Sequence, residues 1–175
     1  MYLFNLKKYK ELLGYMESKN NYNISNSIGA LGKYQFMSDT LNGLQALYNL
    51  PAWKNANYFL SRPDLQETYI DYLVKDTLAY IKNNDLEKYI GKQVTGSKRF
   101  KTLTAPLNIY GMLAAAHLSG VNNLTSFLLF GHNPDDGFTS LSDYAALFSS
   151  KLSGLSNNVP LLLAFIPALV LYYVK

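Results

Sequence analysis

Helical periodicity is the feature that most limits what this chain folds into. Leu6, Tyr9, Leu13 and Met16 recur at spacings of three and four, and so do Ile70, Leu73, Val74, Thr77 and Ile81. Stripes of this kind bury one face of a helix against a core. No stretch alternates apolar and polar residues with the period of two that a half-buried strand needs. The expected fold class is therefore all-α, with at most a minimal β-hairpin around Ala30 to Phe36. Ser38 or Asp39 is placed to cap a helix reaching about Asn49, with Leu41, Leu44, Ala46 and Leu47 available for burial. Ser61-Arg62-Pro63 signals the start of the longest helix, because proline is tolerated in a first turn. A connection from Gly91 to Lys101 leads to Pro106, which is expected to open an apolar helix ending at Gly120. Shorter helices are expected over residues 122–130 and 142–149.

The 175 residues, 49% apolar and 16% charged, suffice for one core but not for two ordinary ones. The sequence divides into a domain over residues 1–150, a Ser- and Asn-rich linker over 151–158, and an uncharged segment over 159–174. There is no cysteine, so neither a disulfide framework nor a thiolate metal site exists. His117 and His132 are the only histidines, too few for a histidine-based zinc site, and no cofactor is expected. Asp135-Asp136-Gly137 lacks the ligand spacing of a calcium loop and reads as a turn. A net charge of +4 suits a polyanionic partner such as a cell wall or an anionic membrane. Basic residues are scattered apart from Lys98-Arg99-Phe100-Lys101, and no nucleic-acid motif is present, so nucleic acid is not an expected partner. The first residues lack the pattern of a secretory signal peptide.

Breaking a glycosidic bond needs a carboxylic acid that protonates the leaving oxygen. Glu11, Asp64, Glu67, Asp71, Asp76, Asp85 and Glu87 are expected on solvent faces, among lysines or on polar sides of helices. Glu17 stands apart. It ends an amphipathic helix just before a polar loop, with Tyr15, Met16 and Tyr22 near enough in sequence to desolvate it.

Several further segments fall in order around that glutamate. Glu17-Ser18 is followed by Asn21-Tyr22 and by Gly29-Ala30-Leu31-Gly32-Lys33-Tyr34-Gln35-Phe36-Met37. Then come Phe59-Leu60-Ser61-Arg62-Pro63-Asp64-Leu65-Gln66-Glu67, Gly111-Met112-Leu113-Ala114-Ala115-Ala116-His117-Leu118-Ser119-Gly120, and Gly137-Phe138-Thr139-Ser140-Leu141-Ser142-Asp143-Tyr144. This ordered set resembles the lytic transglycosylases and related lysozyme-like domains of bacteria and phages. A Glu-Ser pair closes a helix in that family, and a Gly-x-x-Gln motif follows, here Gly32 to Gln35. The chain departs from the family's Ala-Tyr-Asn-x-Gly motif, which here reads Ala116-His117-Leu118-Ser119-Gly120.

The resemblance implies a lysozyme-like fold and cleavage of the β-1,4 bond between N-acetylmuramic acid and N-acetylglucosamine in peptidoglycan. It makes Glu17 the general acid and then base. It places Ser18, Gly32, Tyr34, Gln35, His117 and Tyr144 in the substrate site, with Tyr144 near Glu17 and Lys33 available to a peptide-stem carboxylate. No second carboxylate is obvious, since Asp39 suits helix capping better. That favours the transglycosylase route over hydrolysis, in which two carboxylates flank the bond.

The apolar segment from Val159 to Val174 would span ~24 Å as a helix, short of the ~30 Å hydrocarbon core. Its expected partner is a lipid membrane, with docking on virion proteins or burial in its own domain as alternatives. Together with the resemblance, this implies a phage virion enzyme, or one acting at the host cell envelope, that opens the wall locally. The rivals are a catalytically silent glycan-binding virion protein on the same fold and a holin-like membrane protein.

Overall fold

The computed structural model describes residues 4–155. The segment over 159–174, with its expected membrane or virion contact, lies outside them. The described chain is mostly helical with one small antiparallel sheet. Helix α1 (Leu6–Ser18) is followed by α2 (Ser38–Tyr48), α3 (Ala56–Leu60) and the long α4 (Pro63–Asn83). A 3-10 turn (Leu86–Tyr89) leads into β1 (Gln93–Thr95) and β2 (Thr104–Pro106), and then come α5 (Ile109–Ser119), α6 (Val121–Phe130) and α7 (Leu141–Lys151). Among the described residues no helix is long and apolar enough to cross a membrane.

The two stripes pack as their periodicity implies. Tyr9 and Leu13 of α1 are buried, and α4 buries Leu65, Gln66, Tyr69, Ile70, Val74, Thr77 and Ile81. Asn5 caps α1, its side chain accepting the Lys8 N–H at 3.0 Å. The helix ends on Lys19 in the left-handed region, with Asn20 N donating to the Gly14 carbonyl at 2.9 Å. Helix α5 is buried along most of its length and lies against α7. A methyl at Gly111 would meet Ser149 Oγ at 2.1 Å and the Ala145 carbonyl at 2.5 Å. Only a glycine there, with small residues around it, lets the two backbones approach so closely.

Several expectations are corrected. Pro106 ends β2 rather than opening α5, whose start is capped by Asn108 accepting the Gly111 N–H at 3.1 Å. The sheet lies at 93–95 and 104–106, pairing Val94 with Ala105, and three-residue strands are too short to show a period in sequence. No hairpin of two strands forms around Ala30 to Phe36. Leu31 and Phe36 exchange two backbone hydrogen bonds of 2.9 Å around the turn from Gly32 to Gln35, and Leu31 also bridges Ser25, but these are isolated bridges and not strands. Neither Ser38 nor Asp39 caps α2, because both lie inside its first turn and Met37 holds the cap position without a side-chain bond. Leu41 and Leu44 are buried, whereas Leu47 is exposed. The expected linker begins late, since Lys151 closes α7, Leu152 is buried and Ser153–Leu155 form a 3-10 turn.

Two carboxylates hold loops onto this frame, and both are more anchored than their sequence positions imply. Asp143 is fully buried at the start of α7 and accepts the backbone N–H groups of Ser140, Lys98, Arg99 and Phe100 at 2.9 to 3.2 Å. Glu67 is not on a solvent face. It accepts from Tyr22 Oη at 2.6 Å, Tyr34 Oη at 2.7 Å, Lys10 Nζ at 2.8 Å and Lys33 Nζ at 3.0 Å. Burial raises both pKa values, but the donors outweigh it and hold each carboxyl at about 2.

A carboxyl near ~4 in the unfolded chain and about 2 in the fold contributes stability above the unfolded value, lost as pH falls through the folded one. The urea midpoint is therefore expected to stay level from neutral pH to about pH 5 and to fall steeply between ~4 and ~2. Glu67→Gln should flatten part of that fall. A midpoint independent of pH down to the lower end would show that these networks are wrongly assigned.

Candidate active site

Glu17 sits in the last turn of α1, its side chain 15% exposed. Tyr144, 127 residues later on the first turns of α7, donates its hydroxyl to Glu17 Oε1 at 2.8 Å. His117 near the end of α5 brings Nε2 to 4.0 Å from the same oxygen. That nitrogen also lies 2.9 Å from the Tyr34 carbonyl, and a carbonyl only accepts, so Nε2 carries the hydrogen. His117 thus links the Gly32–Gln35 turn to Glu17, with its ring edge against Phe36. Burial, and next the Glu17 charge, raise the Tyr144 pKa, which keeps its phenol a donor at working pH.

Glu17 Oε2 has no hydrogen-bond partner among the described residues and is not sealed from solvent. With Oε1 occupied by Tyr144, Oε2 is the oxygen left open to a ligand. Tyr144 and His117 are the side chains that meet Glu17 Oε1, whereas two of the three residues expected to desolvate it, Tyr15 and Tyr22, are placed otherwise. Tyr15 is 52% exposed with Lys19 over its ring, and Tyr22 is engaged by Glu67.

The other expected site residues divide into two groups. Gln35 adopts φ 50° and turns its side-chain N–H onto the Gly32 carbonyl at 2.8 Å, leaving its amide oxygen without a partner among the described residues. A non-glycine residue in the left-handed region stores roughly 1 kcal/mol of strain, as do Lys19 and Asn49 at the ends of α1 and α2. Gly32 is buried with φ 71°, and a methyl there would meet Gln66 Oε1 at 2.1 Å. Its N–H donates to the Ile24 carbonyl and its carbonyl serves Gln35, so Gly32 shapes the turn and does not present a backbone group to substrate.

Tyr34 is fully buried with its hydroxyl on Glu67, so its side chain lines no cleft. Ser18 Oγ donates to the Lys33 carbonyl at 2.8 Å and accepts the Asn21 N–H, which makes it a brace between α1 and the turn. Lys33 is not available to a peptide carboxylate. Its stem crosses α1 at Gly14, where a methyl would meet Lys33 Cε at 2.5 Å, and its ammonium pairs with Glu67.

Gln66 was not singled out from the sequence, yet it clamps the turn. Its oxygen accepts the Lys33 N–H at 2.9 Å, and its amide nitrogen donates to the Tyr22 and Phe59 carbonyls at 3.0 Å each. A polar residue one helical turn before Ile70, inside an apolar stripe, is the signal that marks it. Asp135 and Asp136 make turn hydrogen bonds to the N–H groups of residues 137–139. Among the described residues no group of three or more metal-ligating side chains clusters.

Beside this cluster lies an open cleft of about 750 Å³ lined by Ser97, Lys98, Arg99, Lys101, Gly137 and Phe138. It adjoins the site through α7, since Asp143 holds the Lys98–Phe100 turn and the next residue is Tyr144. No family model, curated protein or solved structure matches the chain.

Proposed function

We propose that this chain is a lysozyme-like enzyme that cuts the glycan strands of peptidoglycan, with Glu17 as its acid and base. The observation that carries the reading is the Glu17 arrangement. A half-enclosed carboxyl at a helix end has one oxygen held by Tyr144 and the other open. The order of motifs around it, from Glu17-Ser18 through Gly32 to Gln35 and on to Asp143-Tyr144, supports the same assignment.

In the reaction, Glu17 Oε2 gives its proton to the glycosidic oxygen as the bond from that oxygen to the muramic acid C1 breaks. The acetamido oxygen of the same sugar closes onto C1. The Glu17 carboxylate then takes the proton of the sugar's 6-hydroxyl, whose oxygen attacks C1 and releases the acetamido group. Atoms balance without water, and the product is an anhydro sugar. Tyr144 stabilises the carboxylate stage by donating to Oε1. His117 holds the Tyr34 carbonyl and keeps the turn bearing Gln35 against the acid.

A single acid is the reason for preferring this route to hydrolysis. Among the described residues no second carboxylate hydrogen-bonds to Glu17, Tyr144 or His117, and that of Glu67 is consumed by two lysines and two tyrosines. Mass spectrometry of digested sacculi should therefore give muropeptides ending in 1,6-anhydro-N-acetylmuramic acid, lighter by one water than hydrolytic products. Products bearing only reducing ends would refute the transglycosylase route. A virion location, with residues 159–174 engaging a membrane or virion protein, belongs to the same proposal.

A further inference from the structure

The cleft beside Tyr144 is built from two loops that the fold holds rigidly. On one side, Asp143 accepts three consecutive N–H groups from Lys98 to Phe100. A methyl on Gly96 would collide with the Phe100 carbonyl at 2.3 Å, so the turn is wound tightly onto that carboxylate. On the other side, Asp136 accepts the Phe138 and Thr139 N–H groups at 2.9 and 2.7 Å, fixing a phenylalanine that is 83% exposed. Lys98 crosses to Asp135 at 2.6 Å and joins the two sides. Every carboxylate of the cleft is thereby engaged, Asp135 by Lys98 and Asp136 and Asp143 by backbone N–H groups. Arg99 and Lys101 are exposed and have no carboxylate partner among the described residues.

Two exposed cations without a carboxylate partner, Arg99 lying over the Phe100 ring, and one exposed ring suit a ligand that carries both an anionic group and a face for stacking. The run of cations is too short for a nucleic-acid backbone. Asp143 holds the Lys98–Phe100 turn and immediately precedes Tyr144, so the cleft and the Glu17 site share the start of α7. We infer that this cleft is an accessory subsite in which Arg99 and Lys101 take a carboxylate of the peptide stem while Phe138 packs on the strand that bears it. The inference rests on the glycan-cleaving reading and gives it a specificity: stem-bearing strands are preferred to naked ones.

The test uses the full chain and the double variant Arg99→Ala, Lys101→Ala, which removes exposed side chains that hold no loop. The readout is the ratio of kcat/KM on intact walls to kcat/KM on strands stripped of stems by an amidase. That ratio is expected to fall about tenfold in the variant, as for two partly screened ion pairs, and the wild-type preference is expected to shrink with added salt. An unchanged ratio would overturn the subsite. Walls freed of phosphate polymers with hydrofluoric acid should give the same fall. If the fall disappears on those walls, the bound anion is a phosphate and the stem assignment is wrong.

A chain that cuts neither substrate would refute the glycan-cleaving reading by itself. The cleft is still decided in that case by calorimetric titration with a soluble disaccharide-tetrapeptide and with neutral chitotetraose. Binding of the first, weakened about tenfold in the variant, supports the subsite, whereas equal binding of both ligands sinks it.

Discussion

Replacing Glu17 with glutamine is expected to lower the proposed wall-degrading activity by about a thousandfold or more, within the range of contributions made by a positioned acid. The change removes the proton and keeps the shape. A glutamine oxygen still accepts from Tyr144 at the place of Oε1, and the amide nitrogen takes the open place of Oε2. The variant should therefore melt within a few degrees of the wild type while leaving no clearing zone in a peptidoglycan gel. If it clears the gel at a near wild-type rate, the acid lies elsewhere. If the wild type itself clears nothing under conditions where its fold is intact, the glycan-binding, catalytically silent alternative takes the place of the enzyme.

The second large effect is on stability. Asp143→Ala strips the common acceptor from four backbone N–H groups and leaves Ser140 N–H buried without its partner. Loss of a buried, multiply bonded carboxylate should cost about 3 kcal/mol. For a domain of this size that corresponds to a fall in Tm of roughly 10 °C. Because Asp143 immediately precedes Tyr144, the same variant should loosen the Tyr144 contact with Glu17 and reduce activity even well below its melting point. A Tm unchanged within a degree or two would mean that the 97–100 turn does not depend on this carboxylate.

Much of the frame is legible because long helices announce themselves. The α1 and α4 stripes place Tyr9, Leu13, Ile70, Val74 and Ile81 in the core, and the structure puts them there. The capping pattern Ser140-x-x-Asp143 is a sequence signal for the start of α7, and both halves of the box form. Three-residue strands and a five-residue helix carry too few residues to register a period, so β1, β2 and α3 are found only in three dimensions.

The site is less legible than the frame. Glu17 can be selected because it ends an amphipathic helix beside a polar loop, but what surrounds it depends on tertiary folding. Tyr144 and His117 reach it from 127 and 100 residues away along the chain. Proximity in sequence misleads about Tyr15 and Tyr22, since the first points outward from α1 and the second turns to Glu67. Glu67 and Lys33 look like ordinary surface charges until the fold brings them together. A residue's charge says what it can bond to, and only the packing decides whether that partner is inside the protein or in the substrate.

The separation between Glu17 and Tyr144 also sets a schedule for synthesis. Translation proceeds from the N-terminus, so the helix bearing Glu17 emerges before the segment bearing Tyr144. Until α7 has left the ribosome, Glu17 lacks its hydroxyl donor, and the Lys98–Phe100 turn lacks the carboxylate that shapes it. A nascent chain that lacks α7 therefore carries Glu17 without its Tyr144 partner. On the proposed reading, activity waits on the completion of α7, a delay written into the order of the helices.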